Sequence, residues 1–137
     1  MICEKHPLGE LQAPKFVVVF SLKGGRLLLS RHRERLTWET QGGHIEPGET
    51  PLEAARRELC EESGAKAFDL APLFDYAAGE AGRLAAGVVF AAKIQEIGPL
   101  PESEMAETRL FDRLPDDLTY PDITPRLYAW AREMGAI

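Results

Sequence analysis

The stretch from Thr50 to Gly64 specifies its own structure more strongly than any other part of the chain. Thr50 suits an N-cap, Pro51 suits the first helical position, and Glu53 completes a Thr-x-x-Glu capping box. Gly64 stands where a left-handed C-terminal cap belongs. These signals predict a helix over Pro51–Ser63. On a wheel of about 100° per residue with Leu52 at zero, Ala55 and Leu59 fall at about 300° and 340°, a core-facing stripe. Glu58, Glu61 and Glu62 fall at about 240°, 180° and 280°, so their carboxylates share one face bordering that stripe.

That placement is costly unless something neutralises it. Like charges at i,i+3 and i,i+4 destabilise a helix by about 0.2–0.5 kcal/mol each, and more when partly buried. Arg57, at about 140°, lies on the wrong side to pair with all three. Converging hard oxygen ligands at the rim of a site are what Mg²⁺ or Mn²⁺ requires. The competing readings are a solvated acidic face and an acidic surface that binds calcium or a protein.

The rest of the chain mixes strands and helices without strict alternation, which implies an α/β or α+β class with a mixed sheet. Phe16–Phe20 and Leu27–Leu29 read as strands joined by turn chemistry at Lys23–Arg26. Gly42, Gly43, Pro47 and Gly48 mark a long irregular loop reaching Thr50. Segments 66–76 and 83–94 read as strands, with a short strand near 109–111 and a helix from about Ile123 to Met134. With 137 residues and no linker or repeat, residues 1–137 are expected to form a single domain.

The net charge of −6 argues against a nucleic-acid polymer or a polybasic membrane contact as partner. No apolar run is long enough to span a bilayer, and the N-terminal residues lack the pattern of a secretory signal. Cys3 and Cys60 are too few and too distant for a disulfide framework, so a cytoplasmic protein with reduced thiols is expected.

From Gly43 the sequence runs GHIEPGETPLEAARRELCEESGA. It fits Gly, five residues, Glu, seven residues, then Arg-Glu-aliphatic-x-Glu-Glu-x-Gly-aliphatic. Gly43, Glu49, Arg57, Glu58, Leu59, Glu61, Glu62 and Gly64 fall in place, and only Ala65 departs, being smaller than the usual aliphatic residue. The segment resembles the Nudix hydrolase family. An acidic surface that merely bound calcium or protein would not need Gly43, Arg57 and Gly64 at these spacings.

The resemblance implies an α/β/α sandwich with a central mixed β-sheet. It also implies hydrolysis of a nucleoside diphosphate linked to another group, with Mg²⁺ as cofactor or Mn²⁺ in its place. It assigns Glu58, Glu61 and Glu62 to metal, with one of them, Glu58 foremost, serving as base. Arg57 and Glu49 resemble the pair that fixes the loop against the helix, Gly43 contributes close backbone approach to the metal, and Gly64 is structural. Members often add a carboxylate from outside the motif; Glu104 is the first choice here and Glu107 the second. Nudix domains frequently dimerise, so a homodimer is open.

Other residues carry weaker signals. Arg31 and Arg33, with Arg35, could contact substrate phosphates, because guanidinium forks match them. Trp38 reads as a core or rim residue more than as a base-stacking one, and His44 as a loop histidine more than a metal neighbour. His6 and His32 show no carboxylate or cysteine partner in the sequence. Tyr120–Pro125 reads as a turn into the last helix, and Leu118-Thr119-Tyr120-Pro121-Asp122 is similar to a stretch in Nudix nucleoside triphosphate pyrophosphohydrolases. The expected substrate is therefore a nucleotide small molecule, a noncanonical nucleoside triphosphate cleaved to monophosphate and pyrophosphate. The alternatives are a dinucleoside polyphosphate, ADP-ribose or another nucleotide sugar, and, more remotely, a non-catalytic nucleotide-binding module.

Overall fold

A computed structural model describes all residues, 1–137. The chain runs β1 (Ile2–His6), β2 (Phe16–Lys23), β3 (Arg26–His32), β4 (Gln41–His44), α1 (Pro51–Ser63), β5 (Ala65–Glu80), β6 (Arg83–Ile97), β7 (Met105–Phe111) and α2 (Thr124–Glu133). The strands form one mixed sheet in the order β1-β5-β6-β2-β3-β7, with β4 also pairing β2. The β2–β6 ladder is parallel and the others are antiparallel.

Side chains alternate across β2, as strand geometry requires. Val17 and Val19 join Ala54, Ala55 and Leu59 of α1 in one core cluster, together with Val88 and Phe90 of β6. Phe20 points to the other face and joins Leu127 and Ala131 of α2, with Leu29, Phe74 and Val89. A helix thus covers each face of the sheet, the expected α/β/α sandwich. No helix is long and apolar enough to cross a membrane.

Two expectations need correction, and one strand carries no signal in the sequence. The loop read across Gly42 and Gly43 begins as a strand, β4, paired to the first half of β2 through Phe16↔His44 to Val19↔Gln41. Glycine reads locally as a breaker, but here the missing side chain lets two backbones meet: a Cβ on Gly42 would collide with the Val17 carbonyl oxygen. Strand β1 has no apolar run to betray it, since ICEKH is a polar-rich edge strand held by β5. Strand β7 starts at Met105 rather than near Arg109, because pairing with β3 extends to His32↔Met105 across a bulge.

Because β4 occupies the first half of one β2 edge, β3 pairs only with the second half, from Ser21↔Leu28 to Lys23↔Arg26. Gln41, fully buried, bridges this fork. Its Nε2 donates to the Leu28 carbonyl at 3.1 Å and to Ser30 Oγ at 2.9 Å, while Ser21 Oγ donates to its Oε1 at 2.5 Å.

Candidate active site

Helix α1 carries its predicted caps. Thr50 Oγ1 accepts the Glu53 N–H at 3.1 Å, Glu53 Oε1 accepts the Thr50 N–H at 2.9 Å, and Gly64 takes φ 80°. The buried face is rotated from the one expected. Ala54, Ala55, Leu59 and Ser63 are buried, whereas Leu52 is 42% exposed in the first turn. With Ala54 at about 200° on the wheel, Glu58 and Glu62 lie within the covered face rather than beside it.

Arg57 gathers the acids around it. Its Nε and Nη2 hold Glu49 bidentately at 2.7 and 2.9 Å, and Nη2 reaches the His44 carbonyl at 3.2 Å. Nη1 donates to Glu58 Oε1 at 2.8 Å and lies 3.5 Å from Glu61. As the wheel implies, Arg57 does not serve all three, and Glu62 has no cationic partner. The guanidinium, with the Glu46 N–H, holds the Glu49 carboxyl down at about 2.

Strand β4 meets the other side of these carboxylates. The Gly42 N–H donates to Glu62 Oε1 at 2.7 Å. Gly43 faces Glu58, where a Cβ would stand 2.9 Å from Oε1. Burial raises the carboxyl pKa of Glu58, with Arg57 opposing, and pushes Glu62 up to about 8. Glu104 adds repulsion at both, and Glu39 adds it at Glu62.

No three His, Cys, Asp or Glu side chains converge closely enough to enclose an ion. The donor set nonetheless fits a divalent cation. The donors are hard carboxylate oxygens, Glu62 is largely buried without a counter-charge, and the space that a Cβ of Gly43 would fill lies against Glu58. Glu58, Glu61 and Glu62, with the Gly43 backbone, could hold such an ion. The Glu104 side chain is 81% exposed at the end of the loop before β7, with His32 Nε2 at 3.8 Å.

The remaining sequence candidates separate. Glu107 sits in β7 and pairs with Arg31 Nε at 2.9 Å, and Arg31 Nη1 also donates to the Arg35 carbonyl at 3.0 Å. Arg33 Nη2 donates to the Ser103 carbonyl at 2.6 Å. Trp38 is buried, with the Arg109 guanidinium 4.8 Å from its ring centre. The His44 ring packs 4.6 Å from that of Phe16. Contrary to the sequence reading, His6 has carboxylate partners, Glu10 at 2.6 Å and Glu4 at 3.7 Å, and His32 has Glu104. The β3–β7 pairing brings His32 to Glu104 across a gap that no spacing rule reveals, whereas Glu10 stands only four residues from His6. Both cysteines are free thiols, raised in pKa by burial.

Sequence reasoning missed the cavity beside β4. It has a volume of about 270 Å³, and Gly42 and Gly43 form part of its wall. Phe16, Tyr76, Tyr120 and Leu127 supply apolar surface, and Glu39 brings a carboxylate. Glu39 could have drawn notice only as an acid directly after Trp38 and close to the glycine pair.

The NUDIX domain family matches residues 11–131. The chain belongs to the Nudix hydrolase family. A Bacillus subtilis (strain 168) protein named "Putative 8-oxo-dGTP diphosphatase YtkD" is 34% identical over 110 residues, covering 78% of this chain and 68% of the relative. Among solved structures, the Bacillus subtilis pyrophosphohydrolase BsRppH superposes with a TM-score of 0.81 at 24% identity, over 97% of this chain and 90% of that one. A UDP-X diphosphatase gives 0.71 at 23% identity, over 94% and 67%. These structural likenesses confirm the Nudix fold. As a Nudix hydrolase, the chain is an enzyme acting on phosphorus-containing acid anhydrides, and the family generally uses divalent metals.

Proposed function

We propose that this Nudix enzyme is a cytoplasmic, Mg²⁺-dependent nucleoside triphosphate pyrophosphohydrolase, with Mn²⁺ as an alternative ion, that releases a monophosphate and pyrophosphate. One observation carries the reading. The Gly42–Gly43 strand seats two largely buried carboxylates, Glu62 and Glu58, beside a cavity of about 270 Å³. Small-molecule sites span ~300–1,000 Å³, so this cavity suits one ring system and leaves the phosphates at the glutamates. The YtkD relative, by its name a diphosphatase of a purine triphosphate, supports the same substrate class.

In this reading Glu58, Glu61 and Glu62, with the Gly43 backbone and Glu104, would hold the cation, which would supply charge to offset the phosphates and to acidify water. Glu58 takes the proton of the attacking water as its oxygen bonds to the α-phosphorus, the α–β anhydride bond breaks and pyrophosphate leaves. Arg57 fixes the Glu58 carboxylate through Nη1 and, through Glu49, fixes the loop beneath it. Arg33 and Arg31 steady the outer phosphates, and Arg31 exchanges Glu107 for substrate.

The test is a panel of nucleotides with Mg²⁺ and with Mn²⁺, scored by product. Pyrophosphate release supports the reading, whereas ribose phosphate from ADP-ribose would replace it with the nucleotide-sugar alternative. Glu58→Gln should lower kcat about 10²–10⁴-fold, the usual range for removing a general base; a variant with full activity would remove Glu58 from this role.

A further inference from the structure

Glu39 is an acid where the cavity is otherwise mostly apolar. The residue is only 9% exposed, yet it lines the space beside Gly42 and Gly43. Both of its protein hydrogen bonds fall on one oxygen. Arg35 Nη1 and Thr119 Oγ1 each donate to Oε1 at 3.1 Å, leaving Oε2 without a protein partner. The same residue is pinned at its backbone, where its N–H and carbonyl pair with Ser30 at 2.9 and 2.8 Å. The carboxylate is therefore oriented before any ligand arrives, and its second oxygen, which still reaches solvent, is open to accept from a ligand in the cavity. A ligand that displaced that solvent without supplying donors would leave the carboxylate desolvated and unpaired, at a cost in affinity.

We infer that Glu39 determines base specificity, by accepting hydrogen bonds from the N1–H and 2-amino edge of a guanine-type base held between Phe16, Tyr76 and Tyr120. The inference rests on the nucleotide reading above and narrows it. A carboxylate only accepts, so it matches an edge that only donates. Guanine presents two adjacent donors. Adenine and cytosine each place a ring-nitrogen acceptor beside a single amino group, and thymine flanks its one N–H with two carbonyls. Against these, Glu39 meets a lone pair and repels it. Intact and 8-oxidised guanine share the recognised edge, so Glu39 sorts guanine-type bases from others without sorting oxidised from intact.

The decisive experiment uses nucleoside monophosphates and needs no turnover. Calorimetric binding of dGMP, dIMP and dAMP is measured for the wild-type enzyme and for Glu39→Gln, with Mg²⁺ present and the melting temperature recorded. A hydrogen bond to a charged group is worth roughly ten- to a hundredfold in affinity. The wild type should therefore bind dGMP at least tenfold more tightly than dIMP, which lacks the 2-amino group, and more tightly still than dAMP. With its oxygen held by Arg35 and Thr119, Glu39→Gln puts an amide N–H₂ where the free carboxylate oxygen stood. That amide meets the guanine N1–H donor to donor and can donate to the ring nitrogen of adenine, so the dGMP:dAMP ratio should fall at least tenfold.

Equal wild-type affinity for dGMP, dIMP and dAMP overturns the inference, and this arm stands even if the variant does not fold. An unchanged ratio in a folded Glu39→Gln enzyme also overturns it. So does a variant whose only change is a weaker Mg²⁺ response, identical for every base, since Glu39 would then serve the ion site. Absence of triphosphate cleavage would sink the catalytic reading instead, while the binding ratios would still decide the role of Glu39.

Discussion

Gly43 and Glu58 are packed so closely that a Cβ on the glycine would stand 2.9 Å from the carboxylate oxygen. The glycine thus leaves room for a contact across two elements, where a Cβ would have to displace the carboxylate. Gly43→Ala should push Glu58 aside and lower kcat by about a hundredfold, the effect of an ångström-scale misplacement of a reacting group. Its melting temperature should change little. Steady-state kinetics and a thermal melt check this, and near-normal turnover would refute it.

Glu62 makes a pH prediction with a definite sign. Burial raises its folded-state carboxyl to about 8. A raised carboxyl favours the protonated folded form, so this stability is present at low pH and lost as pH rises through about 8. In chelator-treated enzyme the melting temperature should therefore decline between about pH 5 and 8.5, and Glu62→Gln should flatten that decline. Mg²⁺ should bind more tightly as pH rises across the same window and release a proton on binding. A pH-independent affinity would be inconsistent with this account.

Arg57 should not tolerate lysine. Its fork holds Glu49 with two nitrogens while a third reaches Glu58, and an ammonium cannot span that geometry. Arg57→Lys is expected to lower kcat about tenfold or more, with KM nearly unchanged. A variant that altered KM alone would point to substrate contact instead.

Gln41 should matter to stability. Gln41→Leu removes three buried hydrogen bonds and leaves Ser21 Oγ and Ser30 Oγ with one partner fewer each. The expected loss is about 2–4 kcal/mol, read as a shift in the urea midpoint at constant slope.

What could be read from the sequence follows from distance along the chain. Helix α1 was legible because Thr50, Glu53 and Gly64 act within a turn of it, and the motif glutamates because they repeat at helical spacing. The orientation of α1 was legible only in part. Leu52 stands at the start of the helix, where the sheet no longer covers it, and the buried face turned toward Glu58 and Glu62. Strand β4 was hidden because its glycines signal a loop locally and are needed for contact with Val17. The ties of Arg31 to Glu107 and Arg33 to Ser103 depend on the β3–β7 pairing, 70 or more positions away in sequence. Glu39 belongs to no periodic pattern at all.

The two faces of the sheet have consequences for how such an enzyme changes its diet. The acidic groups project from α1 on one side, whereas Tyr76 and Leu127 of the cavity belong to the core beneath α2 on the other. The glycine pair of β4 touches both sets. Apart from Glu39, whose charge is felt at Glu62, residues that select a nucleotide can therefore drift, one substitution at a time, with little effect on those that cut it. A new specificity needs no new hydrolytic machinery, only a different lining behind the same two glycines.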